Sequence, residues 1–189
     1  FCKPGIFFDR DGVLLEDTNY LSKPEKVKLL PGAKDLLKIS KELGWINIVI
    51  TNQSGIGRGF YEWKEYELVT KKMLTEFGEP NCIDAIYANG EKPSDKPIPK
   101  SWRKPSPNMI FEAASTLNID LTNSIIIGDR LTDLLSGEKA GINKFVHVLT
   151  GHGINERKLI IDKFNNKNYL SLIKNLTEFP VKSLLPKLN

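Results

Sequence analysis

Asp9 and Asp11 stand one residue apart at the end of an apolar run, Ile6-Phe7-Phe8, and are followed at once by Gly12. Such a run, ending in a polar turn, has the character of a buried strand that delivers its last residues to a sheet edge. Gly12 relieves crowding where the backbone turns, so both carboxylates can face one cleft. Two carboxylates so placed suit a hard divalent cation such as Mg²⁺ and phosphate chemistry with it. Taken alone, the stretch also reads as a strand ending in a solvated Asp-Arg-Asp-Gly turn.

The elements that must position this pair are legible in order. Val13 to Lys28 has no sustained period and reads as a flap over the cleft. Leu29-Leu30-Pro31-Gly32 introduces a helix to about Leu43, with Ala33, Leu36, Leu37, Ser40 and Leu43 on one face. Ile46 to Ile50 is a strand buried on both faces, opening into Thr51-Asn52-Gln53-Ser54-Gly55-Ile56-Gly57-Arg58-Gly59. Tyr66, Val69, Met73 and Phe77 recur at helical spacing, and Ile83 to Ala88 fits a third strand. Asn89 to Trp102 carries Pro93, Pro97 and Pro99 and reads as a long loop. Ser106-Pro107 opens a helix to Leu117, with Ser106 as N-cap. Ser124 to Asp129 is a buried strand with an acid at its exit, followed by a helix to Ala140 and a last strand, Lys144 to Leu149. Beyond Gly153 a helix is expected at Tyr169 to Leu176.

This alternation predicts an α/β fold, a doubly wound and mostly parallel sheet with helices on both faces. In such sheets the carboxyl ends of the strands share one crevice at the topological switch point, which brings sequence-distant polar groups together. Residues 1–153 form the expected domain, with 154–189 as a C-terminal tail packed on it.

The 189 residues, 40% hydrophobic, suffice for one sizeable core. Lys and Arg number 27 against 23 Asp and Glu, a mild excess that suits phosphorylated small molecules better than nucleic acid. Two cysteines are too few for a disulfide scaffold, and no apolar run of about 18 residues or secretory pattern appears. A monomeric cytoplasmic protein without a membrane partner is expected.

Asp9-x-Asp11-Gly12, Thr51-Asn52-Gln53, Lys104-Pro105-x-Pro107 and Gly128-Asp129-x-x-x-Asp133 occur in that order on the right elements. Together they resemble the haloacid dehalogenase superfamily of phosphohydrolases over about Ile6 to Gly153, a Rossmann-like fold. The resemblance implies a phosphatase in which Asp9 is the nucleophile that forms an aspartyl-phosphate and Asp11 the general acid and base. It implies Mg²⁺ held by the Asp9 side chain, the Asp11 carbonyl and Asp129. Thr51, through its hydroxyl, and the Asn52 amide would hold phosphate, Lys104 would neutralise charge, and Asp133 would orient its neighbours from behind.

A narrower resemblance rests on Asp9-Arg10-Asp11-Gly12, on Thr51 to Gly59 and on Arg103-Lys104-Pro105-x-Pro107. These look like the branch of heptose bisphosphate and histidinol-phosphate phosphatases, which lack a large cap domain. The implied substrate is a small phosphorylated sugar, foremost D-glycero-D-manno-heptose 1,7-bisphosphate at its 7-phosphate, with Arg58 and Arg103 facing it. Histidinol phosphate, a polynucleotide 3′-phosphate and a non-catalytic phosphosugar-binding role are the alternatives. Where that branch carries a zinc loop, this sequence has Tyr87, Asn89, Lys100 and Trp102, so no structural zinc is expected.

Overall fold

The computed structural model describes residues 2–96, 98–165 and 169–188, so Pro97 of the predicted loop lies outside the described residues. Strands β1 (Gly5–Phe8), β2 (Ile46–Asn52), β3 (Ala85–Asn89), β4 (Ile125–Gly128), β5 (Lys144–His147) and β6 (Leu170–Leu172) form one sheet. Their order is β3-β2-β1-β4-β5-β6, and every neighbouring pair is parallel. The chain steps outward from β1 through β2 to β3, then returns to β4 on the other side of β1. The switch point therefore falls between β1 and β4, where an open parallel sheet leaves a crevice at its carboxyl edge.

Alternation along the central strands builds two cores. Ile6, Phe8, Val49, Ile127 and Val146 face one layer, while Phe7, Ile48, Ile50, Ile126 and Phe145 face the other. The first layer is completed by α1 (Ala33–Glu42) and by α3 (Trp63–Phe77), which follows the single turn α2 (Ser54–Gly57). The second is completed by α4 (Asn108–Leu117), α5 (Leu131–Ala140) and α6 (Gly153–Phe164). A short α7 (Val181–Leu184) lies near the C-terminus. No large cap is inserted among the described residues, and no described helix is long and apolar enough to cross a membrane.

Three expectations are corrected. Tyr169 to Leu176 is not a helix: Leu170–Leu172 pairs in parallel with Phe145 to His147 as β6. The outer edge of β5 needs hydrogen-bond partners, and satisfying them overrides the local preference of the segment. Helix α4 starts one residue later than expected, at Asn108 with Pro107 in the N-cap position, while Ser106 does cap it: its Oγ accepts from the Asn108 amide at 3.3 Å, and its own amide donates to the Arg103 carbonyl at 2.9 Å. The flap is only partly a flap: Val13, Leu14, Leu15 and Leu21 are buried in the core. Amides of Leu30 and Glu16 donate to the carbonyls of Leu14 and Lys28, each at 2.9 Å, so only the stretch from Asp17 to Tyr20 is left to reach the cleft.

Candidate active site

Asp9 follows β1 directly, and its amide still donates to the Ile127 carbonyl of β4 at 3.1 Å, which fixes the carboxylate at the switch point. Lys104 enters from the turn before α4. Its ammonium, fully buried, donates to Asp9 Oδ1 at 2.8 Å, to the Ile50 carbonyl at 2.9 Å and to Asp133 Oδ1 at 2.8 Å. Those three bonds use all the hydrogens of a charged lysine. Burial by itself would push Lys104 down, but the charges and hydrogen bonds of Asp133 and Asp9 outweigh it and raise its pKa. Asn52, at the end of β2, clamps the lysine's backbone: its Oδ1 accepts from the Lys104 amide at 3.0 Å and its Nδ2 donates to the Lys104 carbonyl at 3.2 Å.

Asp129 follows β4 and is completely buried. Its Oδ2 accepts from the His152 amide at 2.7 Å, while its Oδ1 has no partner among the described residues. Ligand atoms of Asp9, Asp129 and Asp133 lie within 4.8 Å of one another. Burial, together with the charges of neighbouring carboxylates, raises the pKa of both Asp9 and Asp129. Three carboxylates against the one Lys104 ammonium leave two negative charges to be neutralised. An orphaned carboxylate oxygen in an all-oxygen cluster with that charge deficit fits a hard dication. The floor is shaped for it: Gly12 (φ +89°) and Gly151 (φ +59°) lie against Asp129, and a Cβ on Gly151 would come within 2.3 Å of Asp129 Oδ2.

Asp11 is turned away from this cluster. The buried Arg10 guanidinium grips it through Nε to Oδ1 at 2.9 Å and Nη2 to Oδ2 at 2.8 Å, and stacks over Tyr66 at 5.4 Å. Gln53 and Tyr61 complete the surround, with Tyr61 donating to Gln53 Oε1 at 2.5 Å. Burial pushes the Tyr61 hydroxyl up to about 12, the Arg10 charge opposing it, so it remains a donor at neutral pH.

These groups open into a cleft of about 360 Å³, a small-molecule size, lined by Asp9, Asp11, Thr51, Asn52, Lys104 and Asp133. Arg58, Arg103 and Arg130 ring its mouth. Burial, then the nearby charges of Arg130 and Arg58, lowers the pKa of Arg103, so the arginine side of the cleft is electropositive. Arg103 is itself fixed, its Nη1 donating to the Glu91 carbonyl at 2.9 Å. The loop that carries it is closed by a Ser101 to Glu91 side-chain hydrogen bond and by the Tyr87 and Trp102 rings, 6.3 Å apart.

Every residue expected from sequence thus lies at this crevice, with Asp129 beneath the cleft rather than on its wall. Sequence reasoning left out the holding functions of Arg10, Gln53 and Tyr61 and the presence of Asp17, Tyr20 and Thr132 on the lining. Gln53 carried a signal, since it follows Thr51-Asn52 directly, whereas Tyr61 carried none.

A parallel α/β sheet with buried carboxylates and a lysine at its switch point is what the resemblance to haloacid dehalogenase-like hydrolases leads one to expect. The profile of the HAD-hydrolase-like family matches residues 101–178. The chain is 38% identical over 158 residues to the D-glycero-alpha-D-manno-heptose-1,7-bisphosphate 7-phosphatase of Photorhabdus laumondii, covering 79% of this chain and 85% of that protein. It is 38% identical over 141 residues to the D-glycero-beta-D-manno-heptose-1,7-bisphosphate 7-phosphatase of Helicobacter pylori strain J99, covering 72% and 78%. Among solved structures, D,D-heptose 1,7-bisphosphate phosphatase from B. bronchiseptica, complexed with magnesium and phosphate, superposes with a TM-score of 0.81 at 26% identity, covering 96% of this chain and 98% of that one. The chain belongs to the haloacid dehalogenase superfamily and is a phosphatase.

Proposed function

We propose that this phosphatase removes the 7-phosphate of D-glycero-D-manno-heptose 1,7-bisphosphate by Mg²⁺-dependent hydrolysis through an aspartyl-phosphate on Asp9. The observation that carries the reading is the pairing of two anion-directed features in one small cleft. One is the buried Asp9, Lys104, Asp133 and Asp129 cluster; the other is the arginine ring at the mouth. A bisphosphate presents one phosphoryl group to each, and guanidiniums suit bidentate contact with the second. The relatives named for heptose bisphosphates support the same substrate class.

Thr51 and the Asn52 amide hold the reacting phosphoryl group, and Arg58 and Arg103 hold the other. An Asp9 carboxylate oxygen attacks phosphorus in line while the bond to the sugar oxygen breaks, and Asp11 gives that oxygen its proton. Water then attacks the acyl phosphate, Asp11 takes back a proton, and inorganic phosphate leaves with Asp9 restored. Lys104 stays charged throughout and offsets charge on Asp9 and the phosphoryl oxygens. The Asp9 side chain, the Asp11 carbonyl and Asp129, with Asp133 behind, would hold Mg²⁺, which when bound would supply charge neutralisation and orientation.

Phosphate release is measured from both anomers of the heptose bisphosphate, since relatives named for each stand at 38% identity, and from histidinol phosphate and a 3′-phosphorylated oligonucleotide. Preferred turnover of a heptose bisphosphate, lost by about 10³-fold or more in Asp9→Asn, is expected. Preference for another panel member overturns the substrate, and full activity in Asp9→Asn overturns the aspartyl-phosphate.

A further inference from the structure

Gln53, one residue beyond β2 and 2% exposed, lies between two groups that come from different strands. Its Nε2 donates to Asp11 Oδ2 at 2.9 Å and to Thr51 Oγ1 at 2.8 Å. Its Oε1 accepts from the Tyr61 hydroxyl at 2.5 Å and from Arg10 Nη2 at 3.1 Å. A carboxamide has two N–H donors and two acceptor lone pairs, and all four are engaged. The orientation of the amide is dictated by its neighbours, because Arg10 can only donate and the Asp11 carboxylate can only accept.

Two consequences follow from that saturation. Thr51 Oγ1 spends a lone pair on Gln53, so its own hydrogen is left for another acceptor, and Thr51 lines the cleft. The Asp11 carboxylate receives three hydrogen bonds, two from Arg10 and one from Gln53, which fix its plane while its side chain stays 22% exposed to the cleft. One amide therefore sets both the hydroxyl and the carboxylate.

We propose that Gln53 is a positioning residue that aims the Thr51 hydroxyl hydrogen at the phosphoryl group and keeps the Asp11 carboxylate in register with the sugar oxygen that leaves it. This rests on the roles given to Thr51 and Asp11 in the proposed function. A misplacement of about 1 Å in such a group is enough to cost about a hundredfold in rate. The loss must also depend on the leaving group. A sugar alkoxide needs the proton from Asp11, whereas p-nitrophenolate leaves as the anion.

The test is the single-turnover rate of phosphoryl transfer from D-glycero-D-manno-heptose 1,7-bisphosphate and from p-nitrophenyl phosphate, in wild type, Gln53→Met and Tyr61→Phe. The second variant removes only one donor to Gln53 and keeps the test open where Gln53→Met does not fold. Expected for Gln53→Met is a loss of about thirtyfold or more with the sugar phosphate and a smaller one, about three- to tenfold, with p-nitrophenyl phosphate, where only the aim of Thr51 is lost. Tyr61→Phe should show the same leaving-group dependence at smaller amplitude. Equal losses on both probes, or none, in an active enzyme overturn this inference alone. A wild type that fails on the heptose bisphosphate overturns the proposed function and this inference with it.

Discussion

At the scale of single residues, the site is a problem of charge held in buried side chains. Lys104 is the only cation bonded to Asp9 and Asp133 among the described residues, so its removal leaves two buried carboxylates facing each other. Breaking a buried pair by deleting one partner costs about 3–5 kcal/mol. Lys104→Met should therefore lower stability by about 3 kcal/mol in urea titrations without divalent cation, as well as abolish turnover. Gly151 tests the floor. Its φ of +59° and its closeness to Asp129 Oδ2 make a methyl group there displace the carboxylate. Gly151→Ala should raise the Mg²⁺ concentration for half-maximal activity by about tenfold or more, as changes just behind a metal ligand do. A Mg²⁺ titration of initial rates checks it. Asp9, Asp11 and Asp129 were legible because each follows an apolar strand, whereas Lys104 and Asp133 were read from the resemblance of their motifs. Their holders were not: Arg10 meets Gln53 across 43 residues of chain, and only packing brings them together.

At the scale of elements, the pattern was readable where burial was two-sided and blurred where it was not. Strands β1, β2 and β4 are apolar on both faces and announce themselves. Helix α6 buries only Ile160 and Phe164 beyond its first residue and leaves Ile154 and Leu159 exposed, so its stripe is too narrow to stand out. With three residues, β6 is shorter than any alternation can show. The loop between β3 and α4 carries Arg103, which the proposed function places against the second phosphate. Glu91 holds it twice, through its side chain to Ser101 and its carbonyl to Arg103. Ser101 in turn accepts from the Arg103 amide at 3.1 Å, so the clasp and the arginine are one unit. Glu91→Ala should loosen Arg103 and raise KM for the bisphosphate about fivefold or more, with kcat changed less than about twofold, since only binding of the second phosphate is touched. Steady-state kinetics with a bisphosphate and a monophosphate separate this from a general loss of folding, which would affect both alike.

At the scale of the whole molecule, the return to β4 makes the crevice, and the segment after it ties the crevice to the C-terminal part of the fold. His147, at the end of β5, is the knot. Its Nδ1 accepts from Arg157 Nε of α6 at 2.8 Å, which assigns its remaining proton to Nε2, where it meets the Asp129 carbonyl at 2.9 Å. Arg157 also donates to the Ile173 carbonyl just past β6 at 2.7 Å. Protonating the ring would place a second N–H against the Arg157 guanidinium inside the protein. Burial, opposed by the hydrogen bond to Asp129 and reinforced by the Arg157 charge, accordingly lowers His147 from 6.5 to about 4. Between those values the unfolded chain binds a proton at this histidine that the folded chain does not, so this contribution to stability rises with pH. It is complete above about 6.5 and is lost as pH falls toward 4, by about 3 kcal/mol at most. His147→Gln removes the titration while keeping an amide able to donate to the Asp129 carbonyl. The stability of wild type relative to that variant, from urea unfolding at pH 7.5, 6, 5 and 4, should decline steadily across the series. A constant difference would mean that the folded chain protonates this imidazole as readily as the unfolded chain does, and that the link between the C-terminal strand and Asp129 is built on a different set of hydrogen bonds.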